Sequence, residues 1–146
     1  MKEIIIASGN KGKIRETQEI LNEYKVISMN ELGIDIDVEE DQNTFEGNAI
    51  KKAQTIAKKI GGKMCIADDS GIEIEFLDGF PGVLTKRWHS GTDRERNLAI
   101  IEKLKGVPKE KRKITFTTAI ALSNGETTIC EKGTIAGFVA ERPIRR

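Results

Sequence analysis

Three short polar stretches of the chain hold the residue types that phosphate and divalent-metal chemistry needs. SGNKGK (8–13) combines two glycines with two lysines, whereas VEED (38–41) and ADDSG (67–71) supply carboxylates. Mg²⁺ commonly takes one or two protein carboxylates and completes its shell with substrate phosphate oxygens and water. One acid from each acidic stretch would meet that need, so together the three stretches predict binding of a magnesium–nucleotide complex.

The first stretch lies between a predicted strand and a predicted helix. A helix N-terminus exposes unpaired backbone N–H groups and a partial positive charge, which together attract phosphate. Gly9 and Gly12 would let the backbone approach a ligand closely, and Lys11 and Lys13 add cationic donors. We therefore predict that this loop binds a phosphate group, with a glycine-rich turn and solvated lysines as the alternative.

The same loop differs from the common phosphate-binding motifs. A Walker A loop needs four residues between its glycines and a Ser or Thr after the lysine, but here two residues separate the glycines and Ile14 follows Lys13. The sequence leaves open whether Ser8 or Asn10 caps the following helix or contacts a phosphate oxygen.

The acidic pair Asp68–Asp69 follows a predicted buried strand. In open α/β sheets, ligands gather beyond the carboxyl ends of strands. If the chain is still extended at this point, the two side chains point to opposite faces, and one acid can serve a site while the other secures the loop. The alternative is an Asx-type turn in which both acids are solvated.

The elements that must position these residues follow from hydrophobic periodicity and turn signals. An apolar stripe with Thr44 as N-cap predicts a helix over 44–60, and Thr92 with Glu95 forms a capping box for a helix with a Leu98–Ile101 core stripe. A further helix is predicted at 13–24, strands at 3–7, 25–28, 64–67, 72–76, 113–122 and 126–140, and a hairpin at the Asn-Gly turn between the last two strands. The predicted fold class is α/β, a mixed twisted sheet with flanking helices and a long C-terminal hairpin.

Composition narrows the class of protein. A length of 146 residues suggests one domain, and a net charge of +1 gives no overall field that would attract nucleic acid. We expect no membrane span, because no apolar run approaches the roughly 18 residues that one requires. A cytoplasmic location is therefore expected, with Cys65 and Cys130 reduced and structural.

The motifs resemble the inosine triphosphate pyrophosphatase family, whose members hydrolyse non-standard purine nucleoside triphosphates. The matching stretches occur in the family's order and spacing: ASGNKGKIRE (7–16), NTFEGNAIKKA (43–53), ADDSGIEIEFLDGFPGV (67–83) and NLAIIEKL (97–104). The resemblance implies an elongated α/β fold with a cleft, a homodimer, and Mg²⁺-dependent hydrolysis of ITP, dITP or XTP to the monophosphate and pyrophosphate.

The resemblance also implies roles for individual residues. Glu40 and Asp69 would bind Mg²⁺, Asp69 would act as general base, and Lys13 would stabilise charge on the phosphates. Binding of the triphosphate would fall to the first loop, and Ser70 would contact substrate; the implied substrate-binding set is Ser8, Gly9, Asn10, Lys11, Gly12, Lys13 and Ser70.

The sequence departs from the family pattern at its end. After GTIAGFVAERPIRR (133–146), family members continue into a Gly-Phe-Gly-Tyr-Asp-Pro-like segment, a later lysine and a Ser-His-Arg motif. We therefore expect residues 1–146 to form a single ITPase-like domain, truncated at the C-terminus and impaired in activity. The alternative is a catalytically dead remnant of the family that still binds nucleotide or phosphate.

Overall fold

A computed structural model describes residues 2–142 and shows a five-stranded sheet with three helices. The strand order is β2-β1-β3-β4-β5, and β1 runs parallel to both β2 and β3. Within the described residues, no helix is long and apolar enough to span a bilayer. The strands are β1 (Lys2–Ile6), β2 (Tyr24–Ser28), β3 (Cys65–Ile74), β4 (Lys113–Ser123) and β5 (Thr128–Phe138), and the helices are α1 (Lys11–Ile20), α2 (Phe45–Lys59) and α3 (Asp93–Lys103).

The predicted fold class is confirmed, and the local signals that carried it are visible at the element ends. The Thr44 side chain accepts a hydrogen bond from the N–H of Gly47 at the start of α2, and Thr92 and Glu95 form the predicted capping box of α3. The helix predicted at 13–24 is shorter at its end, because the chain leaves the helix at Leu21 and enters β2 at Tyr24.

The acidic stretch is the main correction to the predicted elements. The two strands predicted at 64–67 and 72–76 are one continuous strand, β3, and Asp68 and Asp69 lie inside it. The Asx-turn alternative is therefore wrong. Both carboxylates find partners on neighbouring helices, as described below, so the backbone need not turn to expose them to water.

The chain divides into two compact units. The first comprises Met1–Asp69 and Ala119–Lys132, and the second comprises Ser70–Thr118 and the chain from Gly133 onward. A single ITPase-like domain over residues 1–146 stays a prediction.

The core of the first unit forms between β1, β3 and the apolar stripe of α2. Cys65 is fully buried there, as predicted, and burial raises the pKa of its thiol to about 12, which keeps it protonated and unreactive. The other buried residues of this core include Ile4, Ile5, Ile6, Ala49, Ala53, Ile56, Ala57 and Ala67.

The second unit has its own apolar cluster, in which Ile74, Ile100 and Leu104 are buried and Trp88 packs against them. The predicted Leu98–Ile101 stripe is wrong in part, because Leu98 is 40% exposed and Ile100 is the buried residue of α3. The buried positions are therefore Ile100 and Leu104, and Leu104 is the C-cap residue of α3.

Arg112 lies at the end of this cluster with only 2% of its surface exposed. Its guanidinium donates hydrogen bonds to the carbonyl oxygens of Leu104, Val107, Val139 and Ala140. A single side chain thus satisfies main-chain groups after α3 and after β5, of which the carbonyl of Leu104 is buried.

We expect Arg112→Leu to lower the free energy of unfolding by about 3 kcal/mol, since it leaves the buried carbonyl of Leu104 and three partly buried ones without this donor. Urea denaturation would measure this loss. The neighbouring exposed Lys111 provides the control, because Lys111→Leu should leave the midpoint nearly unchanged. Equal effects of the two substitutions would contradict the role given to the guanidinium.

Candidate active site

The first loop closes on itself and on α1. The Asn10 side-chain oxygen accepts a hydrogen bond of 3.1 Å from the N–H of Lys13, and the Ser8 hydroxyl accepts one of 3.1 Å from the N–H of Asn10. Asn10 is therefore the N-cap of α1. Contact of Ser8 or Asn10 with a phosphate oxygen stays a prediction. The N–H groups of Lys11 and Gly12 lie in the first helical turn, where an α-helix has no internal acceptor.

Both glycines of the loop lie where a side chain would crowd the side chain of a neighbouring asparagine. A Cβ at position 9 would lie 2.9 Å from the side-chain nitrogen of Asn30, and one at position 12 would lie 3.2 Å from the capping oxygen of Asn10. The glycines thus permit a close-packed loop whose backbone is accessible at the start of α1.

Lys13 extends from α1 to β3. Its ammonium nitrogen lies 3.0 Å from a carboxylate oxygen of Asp68, and both side chains are partly exposed. The first loop and the acidic stretch are therefore adjacent, as the sequence predicted. The lysine forms an ion pair with the first aspartate of ADDSG.

Asp69 occupies a different environment, because successive side chains of a strand point to opposite faces. Only 3% of this residue is exposed, and its carboxylate accepts a hydrogen bond of 3.1 Å from the side-chain amide of Asn48 in α2. The expectation that the two acids diverge is confirmed: Asp68 contacts α1 and Asp69 contacts α2.

Glu40 reaches the same region through a lysine of α2. The ammonium of Lys52 lies 3.2 Å from a carboxylate oxygen of Glu40 and donates a hydrogen bond of 2.9 Å to the main-chain oxygen of Asp68. The Lys52 side chain is only 18% exposed. The partly buried ammonium of Lys52 therefore joins the VEED stretch to β3.

The neighbouring lysine holds the outer side of the same segment. Lys51 donates to the main-chain oxygen of Glu39 at 2.8 Å and to the carboxylate of Asp41 at 2.7 Å. The hydrogen bond that Lys51 donates to Asp41, together with one from Gln42, lowers the pKa of Asp41 below its usual value. The VEED stretch has no regular secondary structure, and contacts with α2 fix its course.

Asn48 and Lys52 stand four residues apart on α2, so they lie one above the other on the same helix face. Asn48 contacts Asp69, and Lys52 contacts Glu40. The two acids that the resemblance pairs are thus held by adjacent positions of a single helix. Ser70, the remaining predicted substrate contact, follows Asp69 in β3 and is half-buried.

The donor set bears on which metal this arrangement fits. Among residues 2–142 there is no group of three or more His, Cys, Asp or Glu side chains that could hold a metal ion. Two hard carboxylates from Glu40 and Asp69 suit an ion that takes its other ligands from phosphate and water, which is the usual habit of Mg²⁺. The ammonium of Lys52 beside Glu40 indicates that this position favours positive charge.

The sequence did not predict that Lys52 and Asn48 contact the two candidate metal ligands. Both lie in a helix whose apolar stripe explained its presence, so its polar face offered no separate reason to assign a role. The signal that could have found them is their spacing: an amide and a lysine four residues apart, next to the buried stripe, face the same neighbour.

Comparison with known proteins identifies the family. The family model described as the Ham1 family matches residues 4–146. The chain belongs to the Ham1 family. A relative from Bacillus subtilis, named dITP/XTP pyrophosphatase, is 44% identical over 148 residues, covering 98% of this chain and 74% of the relative. A relative of the same name from Clostridium perfringens is 40% identical, covering 97% of this chain and 74% of the relative.

Solved structures show the same relationship at the level of the fold. The Ham1 protein of Staphylococcus aureus superposes with a TM-score of 0.88 at 39% identity, covering 96% of this chain and 73% of that protein. A HAM1 protein from Coxiella burnetii gives a TM-score of 0.89 at 36% identity, covering 99% of this chain and 76% of that protein. This Ham1-family chain therefore spans about three quarters of the length of these relatives and shares their fold.

Proposed function

We propose that this Ham1-family chain hydrolyses non-standard purine nucleoside triphosphates such as dITP, ITP and XTP to the nucleoside monophosphate and pyrophosphate, with Mg²⁺ as cofactor. The observation that supports this most strongly is that adjacent positions of α2 hold Glu40 and Asp69, while Lys13 of the first loop reaches the strand that carries Asp69. The names of the relatives from Bacillus subtilis and Clostridium perfringens support the same substrate class.

The triphosphate binds at the first loop. The N–H groups of Lys11 and Gly12, at the positive end of α1, donate to phosphate oxygens, and the lysine side chains add charge. Asn10 and Ser8 keep the loop in shape through their internal hydrogen bonds. Lys13 is held near the substrate by Asp68 and stabilises charge that develops on the phosphates as the anhydride breaks.

Glu40 and Asp69 would hold Mg²⁺, which would supply positive charge to neutralise the phosphate oxygens and activate water for attack. Lys52 keeps Glu40 in place beside β3 in the absence of the ion.

Asp69 accepts the proton from the attacking water. As the water oxygen bonds to phosphorus, the α–β phosphoanhydride bond breaks and pyrophosphate leaves with the bonding electron pair. The products are the nucleoside monophosphate, pyrophosphate and one proton, which Asp69 then releases to solvent.

Product analysis tests the proposal directly. We expect Mg²⁺ with ITP to give IMP and pyrophosphate in equal amounts by ion-exchange chromatography and ³¹P NMR, and ITP, dITP and XTP to react faster than GTP or ATP. Omitting Mg²⁺ should stop the reaction. IDP and orthophosphate as products would contradict the proposed bond cleavage, and ITP binding without turnover above an Asp69→Asn variant would favour the catalytically dead remnant.

Two further parts of the proposal concern the whole protein. We propose a homodimer, which analytical ultracentrifugation would detect as twice the mass of the 16.2 kDa chain. We also propose a cytoplasmic location, which fractionation of cells that produce the protein would test.

A further inference from the structure

Asn48 is among the most buried polar residues of the first unit, with 1% of its surface exposed. Burying a side-chain amide is unfavourable unless its donors and acceptor find partners. Here the carboxamide lies between two segments: its nitrogen donates to Asp69 at 3.1 Å, and its oxygen accepts from the N–H of Gln42 at 2.9 Å.

These two contacts fix the orientation of the amide. The N–H of Gln42 can only donate, so it requires the oxygen of Asn48 on its side. The NH₂ group must then face the carboxylate of Asp69, where it is a donor to the ionised form. An apolar residue would satisfy neither partner, and an aspartate would place a second negative charge against Asp69.

Asn48 contacts Asp69 directly. It also contacts the segment that carries Glu40, through the backbone N–H of Gln42, two residues after Glu40. Lys51 and Lys52 hold the same segment by ion pairs with Asp41 and Glu40, which are partly exposed. The Asn48 contact with Asp69 is the buried one in this set. Together with the hydrogen bond from the N–H of Gln42, it ties β3 to the acidic segment through a single side chain.

We infer that Asn48 is a positioning residue that fixes the carboxylate of Asp69 relative to the segment carrying Glu40, so that both acids bind the same divalent cation. This inference rests on the proposed function, since it presupposes that Glu40 and Asp69 are the metal ligands. Groups that orient metal ligands typically contribute about 10–100-fold to metal affinity.

The test measures binding of Mn²⁺ alone, from the EPR signal of the free ion, so that no turnover is needed. We expect Asn48→Leu to raise the dissociation constant for Mn²⁺ about 10–100-fold. Gln18→Leu is the control: Gln18 is a half-buried amide on α1, and its side chain makes hydrogen bonds with Tyr24 and Val26 of β2. That variant should lose stability but bind Mn²⁺ like the parent protein.

A smaller substitution separates positioning from folding. Asn48→Ser keeps a polar group but cannot span both Asp69 and Gln42. We expect its thermal midpoint to exceed that of Asn48→Leu while Mn²⁺ binding stays weak, and it replaces the leucine variant in the test if that variant does not fold.

The possible results distinguish the inference from the function on which it rests. Parent-like Mn²⁺ binding by Asn48→Leu, together with lost binding in Asp69→Asn, would overturn the positioning role and leave the metal site intact. Parent-like binding by Asp69→Asn would overturn the metal assignment itself, and the positioning role with it. Weak binding in both variants with an unchanged Gln18→Leu supports both.

Discussion

Asp69→Asn is expected to reduce kcat for ITP hydrolysis by about 10³-fold, within the range that loss of a general base produces. The substitution is nearly isosteric, and the new amide can present its oxygen to the Asn48 NH₂ group, so the buried pair persists. What is lost is the group that accepts the proton of the attacking water and one of the two carboxylates of the metal pair. The change should therefore appear in kcat and in the Mg²⁺ requirement and not in the amount of folded protein.

Steady-state kinetics at several Mg²⁺ concentrations would measure this effect. Glu46→Gln is the matched control, because Glu46 is an acid in the first turn of α2 whose ion pair is with Lys132. It should retain the parent kcat. A loss of less than about tenfold for Asp69→Asn would be too small for a general base and would assign that role elsewhere.

Lys52→Met should have the second largest effect, lowering kcat/KM by about 10²-fold, the upper end of the loss when a group that orients a metal ligand is removed. Methionine keeps most of the apolar length of lysine, so packing along α2 is largely preserved. The ammonium that joins Glu40 to the main chain of β3 disappears, and the carboxylate of Glu40 is no longer held beside Asp68. Higher Mg²⁺ concentrations should restore part of the activity, because the cation can then order Glu40 itself.

The chain supplies a close control for this experiment in Lys51, the residue immediately before. Lys51 binds the same acidic segment but through Glu39 and Asp41 on its more exposed side, and exposed ion pairs contribute little. Lys51→Met should therefore change kcat/KM only a few-fold. Equal losses in the two variants would show that both lysines act only by anchoring the segment.

The elements of this fold could largely be predicted because their signals are local. The apolar stripe of 44–60 with its Thr44 cap, the capping box at Thr92 and the Asn-Gly turn each lie within a few residues of what they determine. The limits of α1 and the buried face of α3 were less well predicted. Helix ends and the choice between neighbouring apolar residues depend on packing against elements distant in sequence.

Continuity of β3 through ADDSG could not be predicted for the same reason. A pair of aspartates favours a turn unless partners neutralise them, and the partners here are Lys13, 55 residues away, and Asn48, 21 residues away. Local propensity thus pointed to a loop, and tertiary contacts overrode it. Spacing within ADDSG did predict correctly that the two acids would face opposite ways.

The roles given to Glu40, Asp69 and the first loop came from motif resemblance, whereas the roles given to Asn48 and Lys52 came from contacts. By residue type alone, Asn48 and Lys52 cannot be told apart from the solvated amides and lysines that are common on helix surfaces. Only the burial of Asn48 and the contact of Lys52 with both Glu40 and β3 distinguish them.

The most direct test of this account is a crystal structure with Mg²⁺ and the non-hydrolysable α,β-methylene analogue of ITP. The account predicts one Mg²⁺ about 2.1 Å from carboxylate oxygens of both Glu40 and Asp69, a normal magnesium–oxygen distance. The same ion should bind the triphosphate, whose oxygens should accept hydrogen bonds from the first turn of α1. An ion bound by Asp68 in place of Asp69, or a triphosphate away from Lys13, would contradict it.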